Sequence, residues 1–139
     1  MKRGDAIAFA AAAVLAALLA ACGTRAPSDP LQAKASKYGI EILGVQLMAD
    51  GDLVRLNYRV VDYDRTKRTL KGEMKLFPEG AARSLPVMEA GKLGPMRQRP
   101  NATGRPQFMI FTNGGRTLRR GDRAVLQIGE DRLPGIPVS

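Results

Sequence analysis

The sequence predicts an all-β domain built as an antiparallel sandwich, and three observations carry that expectation. Short runs of alternating apolar and polar residues recur from Tyr38 onward. Clusters of Gly, Pro and Asp punctuate those runs at close intervals. No segment has the apolar period of a long amphipathic helix, and nothing reads as a βαβ crossover.

The elements follow in order. Ile40, Ile42, Val45 and Leu47 define a first strand, and the alternation slips by one at Gly44, which marks a bulge. Asp50-Gly51-Asp52 is a turn, because Asp-Gly suits hairpin loops that need positive φ. In the next strand Val54, Leu56, Tyr58 and Val60 share one face, and Arg55, Asn57 and Arg59 the other. Met74 to Phe77 and Ser84 to Val87 are expected as short strands flanking the Pro78-Glu79-Gly80 turn. Gln107 to Thr112 is a strand closed by Asn113-Gly114-Gly115, and Arg123 to Ile128 follows the Arg120-Gly121-Asp122 turn. Leu133 to Val138 carries Pro134 and Pro137, which suit an edge strand. Residues 65–73 and 88–106 are expected to be irregular. About seven short strands of this spacing predict an immunoglobulin-like β-sandwich. Only the architecture is implied, since the Cys…Trp…Cys core of antibody domains is absent.

The N-terminus has a different character. Lys2 and Arg3 precede an uncharged, mostly alanine run from Ala6 to Ala21, 16 residues long. That length suits a signal-peptide core and falls short of the roughly 20 residues of a spanning helix. The run ends in Leu19-Ala20-Ala21-Cys22-Gly23, and Cys22 is the only cysteine of the chain. The tetrapeptide ending at Cys22 resembles the lipobox of bacterial lipoproteins. The resemblance implies cleavage between Ala21 and Cys22, a diacylglyceryl thioether on Cys22, and acylation of the new amino terminus, for instance with palmitate. Gly23, where an aspartate would signal inner-membrane retention in the enterobacterial pattern, favours the periplasmic face of the outer membrane. The expected organisation is a signal peptide over 1–21, a lipidated cysteine and flexible tether over 22–37, and the β-sandwich over 38–139. Within the tether, Leu31 to Lys37 can form a turn of helix, with Asp29 as N-cap and Pro30 at its first position.

Further segments carry a second resemblance. Tyr38-Gly39-Ile40, Val54 to Val60, Leu93 to Gln98, Phe111 to Gly115 and Arg120-Gly121-Asp122 resemble a group of small, uncharacterised bacterial exported proteins. Those motifs read as structural and imply no activity.

Composition narrows the chemistry. Removing residues 1–21 from 139 leaves 118, enough for one core without staples. With no histidine and no free mature cysteine, neither a Ser-His-Asp nor a Cys-His arrangement can be built. Zinc would have to be held by carboxylates alone. The pairs Asp50 with Asp52 and Asp62 with Asp64 are D-x-D motifs that two-carboxylate glycoside chemistry could use, but both read as turns at strand ends. Calcium at Asp50-Gly51-Asp52 lacks the further ligands an EF-hand loop requires. Met48, Met74, Met88, Met96 and Met109 are scattered, as core fillers are and copper(I) motifs are not. The chain is therefore expected not to be an enzyme and to need no metal or cofactor besides the lipid on Cys22.

What remains is positive charge. The formal net charge is +9 for the whole chain and +8 once Lys2, Arg3 and Asp5 are removed with the signal. Arg65, Lys67, Arg68, Lys71 and Lys75 surround one loop; Arg97, Arg99 and Arg105 lie in a second; Arg116, Arg119, Arg120 and Arg123 flank a third. In an exported protein the available polyanions are lipid headgroups, lipopolysaccharide phosphates, wall polymers and acidic proteins rather than nucleic acid. Basic loops sharing one end of the sandwich would form a patch for phosphate or carboxylate, with Arg65, Lys67, Arg68, Arg97, Arg99 and Arg105 as its candidate residues. A solvated face with no ligand is the plainer reading of such runs. The sequence thus points to a lipid-anchored, non-enzymatic envelope protein that acts as an interaction or accessory module for an envelope protein partner. The alternative is a binder of an anionic ligand or envelope polymer through its arginine-rich loops.

Overall fold

The computed structural model describes residues 29–70 and 72–139, so the signal segment, the Ala21–Cys22 junction and Lys71 lie outside it. The described chain is mostly β: six strands and two short helices. Strands β1 (Ile40–Met48), β2 (Leu53–Val60) and β4 (Pro106–Thr112) form one antiparallel sheet in the order β1-β2-β4. Strands β3 (Met74–Pro78), β5 (Arg123–Ile128) and β6 (Asp131–Pro137) form the other, in the order β3-β5-β6. Helix α1 (Pro30–Ser36) precedes β1, and helix α2 (Tyr63–Thr69) lies between β2 and β3.

Alternation in the sequence becomes burial in the sandwich. Val54, Leu56, Tyr58 and Val60 of β2 all face the core, with Phe111 and Met109 of β4 beside them. Leu76, Leu126, Leu133 and Ile136 supply the opposing sheet. The β1–β2 register shifts between Ile42 and Gly44, where the bulge was expected. Gly44 has φ 136°, a conformation that glycine adopts without a Cβ penalty. The β1–β2 turn puts Asp50 at φ 53° and Gly51 at φ 93°, as Asp-Gly chemistry allows.

Both open sides of the sandwich are bridged. On one side Val45 of β1 pairs in parallel with Val138, and Leu47 N–H donates to Ser139 O at 2.9 Å. On the other, Leu85 N–H donates to Leu76 O of β3 at 2.7 Å, and Thr112 N–H of β4 donates to Pro86 O at 2.8 Å. The segment Leu85–Val87 thus crosses from one sheet to the other. This corrects the expectation of about seven strands: Ser84 to Val87 makes only isolated bridges, at Leu85 and Val87. It changes sheets within three residues, and Pro86 has no N–H with which to extend a ladder.

Two further segments differ from expectation. Residues 65–73 were expected to be irregular, yet Tyr63–Thr69 is helical. Asp62 caps it by accepting from Arg65 N–H, and the single buried position, Thr66, shares its one hydroxyl proton between Tyr38 O at 2.7 Å and Asp62 O at 2.9 Å. Helix α1 has the expected cap, Asp29 Oδ1 accepting from Leu31 N–H, with Pro30 at the helix start. It packs as well: Leu31 and Ala35 are buried, so the packed residues begin inside the 22–37 segment. Gln32 accepts from Ile42 N–H and donates to Ile42 O, fastening the helix to the edge of β1.

Candidate anion-binding site

Strand register determines which basic residues can meet. Arg59 pairs with Pro106 and Met74 with Ile128 at one end of the sandwich; Leu53 pairs with Thr112 and Pro78 with Ala124 at the other. The α2 segment bearing Arg65, Lys67 and Arg68 follows β2, Arg105 immediately precedes β4, and Arg99 is bonded to Gln107 near the start of β4, so all of these lie at the first end. Arg97 pairs with Met109, midway along β4, and leads toward that end. Arg116, Arg119, Arg120 and Arg123 lie at the opposite end, where Arg116 Nε meets Asp52 Oδ1 at 3.1 Å. Lys75 stands on the outer face of β3, opposite Gln127.

A small cleft of about 190 Å³ opens at the first end, lined by Leu70, Gly72, Met74, Met109, Pro100 and the segment Arg97–Arg99. Its floor is apolar, with Met74 and Met109 both buried. Arg97 and Arg99 are exposed at its margin. The structure therefore brings the loop after α2 against the second basic loop. Of the six candidates, Arg97 and Arg99 line the cleft; Arg65, Lys67, Arg68 and Arg105 share that end without lining it.

The margin is built by residues that carried no signal in the sequence. Gln98 donates its N–H to Phe108 O at 3.0 Å and accepts from Phe108 N–H at its Oε1, 3.1 Å away. Tyr58 donates its buried hydroxyl to Gln98 O at 3.2 Å, and Gln107 Nε2 donates to Arg99 O at 3.0 Å. Gln98 and Gln107 thus hold the backbone of Arg97 and Arg99 against β4, leaving both guanidinium groups at the surface. Burial raises the Tyr58 pKa above its ordinary value and keeps its hydroxyl a donor.

Elsewhere on this end, Arg65 is partly occupied: Nε lies 3.5 Å from Asp62 Oδ2, and its guanidinium donates to Ser36 O at 3.1 Å. An exposed pair of this kind is worth about 0–1 kcal/mol. Tyr38, at the junction of α1 and β1, donates its hydroxyl to Asp131 Oδ2. Desolvation, the Asp131 hydrogen bond and the Asp131 charge push the Tyr38 pKa from 10.0 up to about 12. Because the folded state holds the proton longer than the unfolded chain, stability should fall as pH rises from about 10 to 12. Denaturation midpoints across that interval should decline less steeply in Tyr38→Phe; identical slopes would contradict the assignment.

The two D-x-D pairs are placed by backbone needs. Asp50 and Asp52 flank the β1–β2 turn, Asp62 caps α2, and Asp64 lies in its exposed first turn. A wider groove of about 790 Å³ runs along Pro78–Pro86 at the opposite end, with Glu79 and Arg83 as its only charged residues. The end with two exposed arginines lining a cleft is the better candidate for an anion.

No family model, curated protein or solved structure matches the chain.

Proposed function

We propose that the chain is a lipid-anchored, non-enzymatic protein of the cell envelope, facing the periplasm with the outer membrane favoured, and that its β-sandwich recognises an anionic group at the basic end. The observation that carries this reading is the shared cleft of Arg97 and Arg99 beside the α2–β3 connection. The geometry favours an anionic ligand or envelope polymer over a protein partner, because two exposed arginines lining a small cleft that also holds Leu70, Met74 and Met109 suit a phosphate or carboxylate with a short apolar stem. At about 190 Å³ the cleft is below the usual 300–1,000 Å³ of sites that enclose a cofactor-sized molecule.

The immunoglobulin-like reading of the fold belongs here too. It is supported by strand order: β1-β2-β4 and β3-β5-β6 correspond to strands A-B-E and C-F-G of that architecture. Residues 86–98, hydrogen-bonded along the free edge of β4, stand where strand D would lie.

Two experiments test the proposal. The mature chain should be retained on immobilised heparin or lipopolysaccharide at moderate salt, and Arg97→Ala, Arg99→Ala and Arg105→Ala together should weaken retention markedly. Unchanged retention in the triple variant would remove this end as the site. For the anchor, Cys22→Ser should abolish palmitate labelling and signal cleavage in cells; normal labelling of that variant would sink the lipoprotein reading.

A further inference from the structure

We propose that the basic end docks on the anionic headgroup surface of the bilayer that anchors Cys22, so that the domain stands on its own membrane in one orientation. This rests on the lipid-anchor and anion-site readings above and names the partner of that same site.

Reach comes first. Seven residue steps separate Cys22 from Asp29, and fully extended they span at most about 25 Å. A domain of this size has a radius of gyration of about 13 Å and is roughly 35 Å across. Burial of Leu31 and Ala35 fixes α1 to the core, so residues 30–36 add no slack. The tether therefore keeps the near face of the domain within about 25 Å of the headgroups, so docking is within reach.

The chain enters nearer the basic end. Helix α1 is 7 residues long, about 10 Å. Ser36 at its far end accepts from the Arg65 guanidinium. Asp29 thus lies one short helix from the basic end. Gln32 meets Ile42, so α1 runs back along β1 from that end. With roughly 26 Å between the two ends, the length of the 8 residues of β2, Asp29 stands partway along the sandwich and nearer the basic end.

Charge selects the same face. The described residues within 61–73 and 97–106 hold six basic and three acidic side chains. Exposed Lys34 and Lys37 lie on and just after α1. Among the acids of this end, Asp62 is held as the α2 cap and Asp131 by Tyr38, while Asp64, Glu73 and Glu130 are exposed. Each cation near an anionic leaflet strengthens surface association about fivefold, and the field decays within about 8 Å at physiological salt. Only the end in contact benefits. The anchor raises the effective concentration of the surface, so even a weak patch is held.

The test uses the lipidated chain with one fluorophore, attached at Ala102→Cys on the basic end or at Ala82→Cys on the opposite end. Both alanines are exposed. Energy transfer to headgroup-labelled lipid is compared in vesicles of phosphatidylcholine alone and mixed with phosphatidylglycerol. Phosphatidylglycerol should raise transfer at position 102 and not at 82, and high salt should reverse the rise. Arg97→Gln, Arg99→Gln and Arg105→Gln together should weaken the docked state on the order of 100-fold. Arg119→Gln with Arg120→Gln, at the far end, should leave it unchanged. Equal transfer from both positions in both lipids overturns the proposal. If heparin retention still depends on the arginines in that case, the anion site stands and its ligand is a wall or lipopolysaccharide polymer. If that retention is also lost, both readings fall together.

Discussion

Gly39→Ala should destabilise the domain by about 2–5 kcal/mol, combining a left-handed backbone penalty with overpacking. Gly39 has φ 69° and links α1 to β1, with the first turn of α2 lying directly over it. An added methyl would overlap Asp62 O and lie 2.7 Å from Thr66 Oγ1 and 3.1 Å from Thr66 N. None of these is the loose end of a flexible side chain. Gly39 O also accepts from Val61 N–H at 2.8 Å and Asp62 N–H at 3.0 Å, so the residue cannot retreat without breaking the entry to α2. The melting temperature should drop by roughly 10–25 °C, taking about 5 °C per kcal/mol for a domain of this size. Gly80→Ala is the control. Its φ is 77° and nothing lies within 4 Å of an added Cβ, so it carries the backbone penalty alone. Equal melting temperatures for the two variants would refute the close approach. Because α2 carries Arg65, Lys67 and Arg68, Gly39→Ala should also lower heparin retention under conditions where the variant remains folded.

Strands β1 and β2 were legible because each keeps one face more exposed than the other. Val54 to Val60 alternate without a break, and a single bulge glycine explains the slip in β1. The two helices were harder for opposite reasons. Helix α1 showed its cap and proline, but its seven residues bury only Leu31 and Ala35, too few to mark a period. Helix α2 buries only Thr66, a polar residue fastened by hydrogen bonds to Tyr38 and Asp62. Its one readable signal was Asp62 before the run, with Lys67 and Arg68 in the last turn. The missing strand has a comparable cause: Ser84 to Val87 has the composition of a strand, but it is divided between two sheets.

The site was legible as charge and illegible as geometry. Arg97, Arg99 and Arg105 stand out in the sequence, yet nothing local says that they share an end with α2 while Arg119 and Arg120 do not. That follows from the pairing of β2 with β4 and from the crossing of β3 to β5, contacts between residues some fifty positions apart. Gln98 and Gln107 are equally silent, because their roles are hydrogen bonds to Phe108 and Arg99 that exist only once residues 97–99 lie along β4.

Asn113→Ala should cost about 3–5 kcal/mol, taking about 1–3 kcal/mol for each buried partner left without a hydrogen bond, with partial relaxation. Asn113 is 1 % exposed and uses its whole amide. Nδ2 donates to Gly51 O and Leu118 O, both at 2.8 Å; Oδ1 accepts from Leu118 N–H at 3.1 Å and from the Thr117 hydroxyl at 3.2 Å. Its backbone N–H donates to Asp52 O at 2.8 Å. One side chain therefore ties the β1–β2 turn, the end of β4 and the approach to β5 together. Alanine strands Leu118, itself buried, with both peptide groups unpaired at that point. Asn113→Asp separates lost bonds from lost volume. At neutral pH it faces two carbonyl oxygens with a carboxylate, so its folded pKa must rise and the variant should regain stability relative to wild type as pH falls toward about 4. A pH-independent difference would mean that the turn rearranges rather than holding the donors in place. Heparin retention should be unchanged in folded Asn113→Ala, since the residue lies at the end of the sandwich opposite Arg97 and Arg99. A parallel loss there would show that the two ends are coupled through the sheets, and the basic end could not then be treated as a separate site.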